Sequence, residues 1–68
     1  MSESRRALER REVEVLRLAA KGLSNKEAAL ELRLTVKQVD HAVASAIKAL
    51  GARNKTHAVA MLVKAAVR

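Results

Sequence analysis

Two reciprocal capping signals, Ser24-Asn25-Lys26-Glu27 and Thr35-Val36-Lys37-Gln38, follow one another within a short stretch and constrain most of what this chain can fold into. In each, a Ser or Thr oxygen accepts from the backbone amide three residues on, and the Glu or Gln there reaches back to the amide of the cap residue. A helix therefore starts near Asn25, carries Ala28, Ala29 and Leu32 inward, and stops before a second helix starts near Val36. Only a few residues around Arg33 and Leu34 connect the two. Helices joined by so short a turn are the outline of a helix-turn-helix.

The flanking segments read as helices too. Leu8, Val15, Leu16, Leu18, Ala19 and Ala20 recur at roughly helical spacing, which predicts a first helix over 8–20 with Glu12, Glu14 and Arg17 on its other side. Its start is signalled only by the charge of Glu9, and its end by Lys21-Gly22, with Gly22 expected in a left-handed conformation. The helix from Val36 to Leu50 carries Val39, Val43, Ala46, Ile47 and Leu50 as one apolar stripe and ends at Gly51. Its opposite face holds Lys37, Gln38, Asp40, His41, Ala44, Ser45 and Lys48, a strip without a large hydrophobe that suits a flat, polar partner. A fourth helix begins between Asn54 and Thr56 and runs through Ala58, Val59, Met61, Leu62, Val63, Ala65, Ala66 and Val67. It is apolar on more than one face. It can cover a thin core or pair with a second copy, and the surplus of apolar faces favours pairing.

Composition narrows the class further. The 68 residues make one domain with a thin core, preceded by a flexible lead over residues 1–7. No Pro, no aromatic residue and only two Gly point to an all-α fold. With no Cys, and with His41 and His57 far apart, neither a metal nor another cofactor is expected. No apolar run approaches the ~18 residues of a membrane span, and no signal-peptide stretch follows the start, so the expected location is cytoplasmic. The net charge of +7 is uneven: from Leu32 onward seven bases face a single acid, Asp40, for a net of +6. A polyanion is the expected partner. A solvated basic surface kept for solubility and a basic helix on a membrane are the competing readings, the second weakened by the absence of Trp and Phe. An enzyme is not expected, because the chain has no Cys, no carboxylate pair in an apolar setting, no His beside a Ser in a nucleophile arrangement and no Gly-rich phosphate loop; neither is a small-molecule ligand. Single-strand and RNA binding are disfavoured by the lack of aromatic stacking platforms.

The blocks Arg11-Glu12-Val13-Glu14-Val15-Leu16, Gly22-Leu23-Ser24-Asn25-Lys26-Glu27-Ala28-Ala29 and Leu50-Gly51-Ala52-Arg53-Asn54-Lys55-Thr56-His57-Ala58-Val59 together resemble the LuxR-type output domain of NarL/FixJ-like and GerE-like bacterial regulators. Sigma-factor region 4 shares the first two blocks but lacks the third. The resemblance implies a four-helix domain that binds double-stranded DNA to regulate transcription, with the third helix in the major groove and the fourth pairing two copies. Asp40, His41 and Ala44 then fall where the groove is read. Asn25, Lys26, Thr35, Lys37, Lys55 and Thr56 fall where the sugar-phosphate backbone is held. Val59, Leu62, Val63 and Ala66 are the candidate dimerisation residues. Asp40 departs from the family pattern, an acid where a basic groove contact is implied. It motivates an alternative function, an interaction protein of the same fold that binds DNA weakly and pairs with a related regulator. The chain reads equally as an excised output domain or as a free-standing regulator.

Overall fold

The computed structural model describes the backbone of residues 7–67 and the side chains of residues 7–65. Four helices result: α1 (Arg10–Ala20), α2 (Asn25–Leu32), α3 (Val36–Leu50) and α4 (Lys55–Val67), with no strand among the described residues. The expected flexible lead, apart from Ala7, lies outside the described residues, as do Arg68 and the side chain of Ala66.

Both capping boxes form. Ser24 Oγ accepts from the Glu27 amide at 3.1 Å, and Glu27 Oε1 accepts from the Ser24 amide at 2.8 Å. Thr35 Oγ1 accepts from the Gln38 amide at 3.0 Å, and Gln38 Oε1 accepts from the Thr35 amide at 2.9 Å. Asn54 caps α4, its Oδ1 accepting from the His57 amide at 2.8 Å while His57 Nδ1 accepts from the Arg53 amide at 3.0 Å.

The first helix departs from the sequence expectation in two respects. It starts at Arg10 rather than Leu8, and a Glu12 carboxylate oxygen accepting from the Glu9 amide at 2.9 Å marks that start, a firmer device than the charge of Glu9 alone. Glu12 is also buried, only 3% exposed, although the pattern set it on the outer side. Positions three and four apart share a helix face, so Glu12 lies on the same face as Val15 and Leu16.

Three helices end alike. The amides of Leu23, Leu34 and Ala52 donate back to the carbonyls of Leu18, Ala29 and Ile47 at 3.0, 2.8 and 3.0 Å. This closure requires a left-handed residue just before the donor, and Gly22 (φ 97°), Arg33 (φ 59°) and Gly51 (φ 68°) supply it. The glycines take that conformation without a Cβ clash, whereas Arg33 adopts it at a steric cost.

The core has two parts, divided by α1. Val15 packs with Ala28, Ala29, Val39, Ala42 and Val43, uniting α1, α2 and α3. Leu16, the next residue, packs with Ala46 and Ala58, uniting α1, α3 and α4, and Ile47 touches both clusters. Alanines dominate the buried set, so the helices approach closely around few large side chains. Val59 and Leu62 of α4 pack against the second cluster, leaving Val63 more exposed.

Candidate nucleic-acid interface

The two faces of α3 separate as their side chains demand. Val39, Ala42, Val43, Ala46 and Ala49 are buried, and this anchors the helix against α1, α2 and α4. Lys37, Gln38, Asp40, His41, Ala44 and Lys48 are exposed and Ser45 is half-buried. With 3.6 residues per turn, Lys37, His41, Ala44 and Lys48 fall along the middle of the outward face. It is narrow and small at Ala44, with cationic side chains near both ends of the helix.

Each edge of that face meets a different neighbour. Toward α1, Gln38, His41 and Ser45 line a groove with Glu9, Arg11 and Glu12, which places the exposed Arg11 beside the N-terminal part of α3. In the sequence Arg11 stands in the first family block and belongs to no expected contact set. Its placement depends on how α1 crosses α3, which no local spacing encodes.

Toward α2, Asn25 Nδ2 donates to Asp40 Oδ1 at 2.7 Å, and Lys55 Nζ donates to Asn25 Oδ1 at 2.7 Å. A single amide thus joins the starts of α2 and α4 to the edge of α3. Asp40 is therefore held by a side chain from another helix. Asn25 and Lys55, set at backbone-contact positions by the family resemblance, are in this structure bonded to one another, and Asn25 alone bonds Asp40.

Ser24, Lys55 and Thr56 line a shared depression between the starts of α2 and α4. Lys26 is exposed on the first turn of α2. The amides at a helix start are electropositive, so a depression at two helix starts is electrostatically favourable to an anion. Thr35 and Gln38 spend one oxygen each on the cap of α3, and the cap fixes where that helix begins.

Among the described residues, no helix is long and apolar enough to cross a membrane, and no cluster of His, Asp and Glu is placed to hold a metal. A short-turned helix pair whose second helix buries one face and offers the other, with basic ends, to a partner defines the class of helix-turn-helix DNA-binding domains. The family model described as bacterial regulatory proteins, luxR family, matches residues 6–62. The chain belongs to the LuxR family, and is a DNA-binding helix-turn-helix regulatory domain. No curated protein and no solved structure matches it.

Proposed function

We propose that this domain regulates transcription by sequence-specific binding of duplex DNA, with α3 lying in the major groove. The observation that carries this reading is the outward face of α3, where Lys37, His41, Ala44 and Lys48 stand exposed on a helix anchored through its other face. Lys37 and Lys48 contact phosphates, and His41 and Ala44 meet base edges, with Gln38 and Ser45 at the rim toward α1. Lys26, Thr35 and Thr56 meet the sugar-phosphate backbone alongside Asn25 and Lys55.

Two copies pair through α4. Val59 and Leu62 contribute to the monomer's own core yet are only half-buried, and Val63 is 43% exposed, so an apolar edge is available to a second copy. Ala66 is the fourth candidate pairing residue from the sequence. Pairing predicts a two-fold target site.

Fluorescence anisotropy of labelled duplex at several salt concentrations tests the reading. Affinity is expected to fall steeply with salt, as for about 3 to 5 phosphates neutralised per protomer. A weak and salt-independent signal would refute it and favour the interaction protein that Asp40 first suggested. Against that alternative stands the compensation of Asp40: its carboxylate is bonded to Asn25, which is bonded to Lys55, so it does not meet a duplex as an isolated anion.

A further inference from the structure

Asp40 stands on the edge of the face that α3 turns to the duplex, and the bonds that hold it restrict what it can do there. An exposed carboxylate on a helix ordinarily samples several rotamers. Here one oxygen, Oδ1, accepts from Asn25 Nδ2 at 2.7 Å, and the Asn25 carbonyl accepts from Lys55 Nζ at 2.7 Å. Each bond engages a full charge, which places it in the stronger class, and the amide between them is polarised from both ends. The three residues lie fifteen and thirty positions apart in the chain, so the arrangement is built by the packing of α2, α3 and α4.

The relay has an orientational and an electrostatic consequence. Anchoring Oδ1 fixes the carboxylate plane, so the second oxygen of this exposed residue has a defined direction. Partial neutralisation through Asn25 lowers the repulsion that an acid meets near phosphates. What remains is an oriented group that can only accept hydrogen bonds. In the major groove, guanine and thymine offer acceptors at O6, N7 and O4, and adenine places an acceptor at N7 beside its N6 donor. Cytosine offers the N4 donor alone.

We propose that Asp40 is a specificity-determining residue that selects a cytosine in the target site, with Asn25 and Lys55 as its positioning residues. The proposal rests on the groove-docking function of α3. It gives the one acid among the charges after Leu32 a task in base reading.

The test starts from random duplexes selected with the 68-residue protein. Affinities are then measured for the selected duplex and for copies in which each C·G pair is replaced singly by T·A. One cytosine per half-site is expected at which replacement weakens the wild-type protein about tenfold. For Asp40→Ala that ratio falls to about one, and for Asn25→Ala and Lys55→Met it falls part of the way, whatever happens to overall affinity. Helical circular dichroism of each variant shows that the fold is kept. An unchanged ratio in Asp40→Ala, or a wild-type protein without cytosine preference at any position, overturns the proposal. So does an equal gain by Asp40→Ala on every duplex with the ratio intact, which would make the relay a device that withholds Asn25 and Lys55 from phosphates. Full ratios in both Asn25→Ala and Lys55→Met overturn the positioning role. A wild-type protein that binds no duplex overturns the docking function itself, a result distinct from all of these.

Discussion

At Arg33 the backbone turns left-handed, with φ 59° and ψ 43°, and an L side chain there crowds the following carbonyl at a cost of about 1 kcal/mol. Arg33→Gly is expected to raise stability by about 0.5–1 kcal/mol, read as a higher urea midpoint. A lower midpoint would show that the Arg33 side chain makes a contact outweighing the strain. Lys37 and His41, neighbours on the outward face of α3, are expected to fail differently. Lys37→Ala weakens binding to selected and random duplex alike and reduces the slope of log affinity against log salt by about one. His41→Ala changes the ratio between the two duplexes, and equal losses on both would refute a base-reading role. Both side chains were legible as candidates, because amphipathic spacing assigns a residue to a helix face without knowledge of the fold. The placement of Glu12 was also within reach of spacing, three and four positions before two core residues. Its charge outweighed its register in the pattern, although burial follows register once the carboxylate finds the Glu9 amide.

The elements α2 and α3 begin where their capping boxes put them, since a cap is closed by groups three residues apart and needs no tertiary partner. The start of α4 was less sharp in the sequence, because Asn54-Lys55-Thr56-His57 carries no Glu or Gln at its third helical position. His57 serves instead, with its ring nitrogen accepting from Arg53 rather than from the cap residue. Asn54→Ala is expected to cost about 1 kcal/mol and to hasten amide hydrogen exchange in the first turn of α4 before elsewhere. Exchange rates unchanged in that turn would show that the cap contributes little. At the proposed pairing edge, Val63→Asp is expected to lower affinity for a two-half-site duplex while leaving a single half-site unaffected. Losses of equal size on both would place Val63 in the monomer's stability rather than in pairing. The ends of α1 and α3 were announced by Gly22 and Gly51. That of α2 was bounded only by the next cap, since Arg33 carries no sign that it turns left-handed.

For the whole molecule, the core divides at Val15 and Leu16, and both halves depend on α1 and on α3, which contribute to each cluster. Leu16→Ala removes the largest fully buried side chain and is expected to cost about 2–5 kcal/mol, a large share of the stability of so small a domain. Ala46, wholly buried between α1 and α4, leaves no room for growth, and Ala46→Leu is expected to cost about 1–3 kcal/mol through overpacking. Thermal unfolding checks both, and a Leu16→Ala midpoint near that of the wild type would mean that α4 collapses onto the vacated space. The sequence by itself determined the all-helical class, the starts of α2 and α3, the outward face of α3 and the basic bias of the later half. All of these follow from hydrogen bonds and periodicities spanning a few residues, or from simple charge. Only the tertiary structure decided that adjacent α1 residues serve separate clusters, that Arg11 flanks α3, and that Lys55, Asn25 and Asp40 form one relay. Those arrangements join positions far apart in the chain, and their geometry is set by how alanine-lined helices cross.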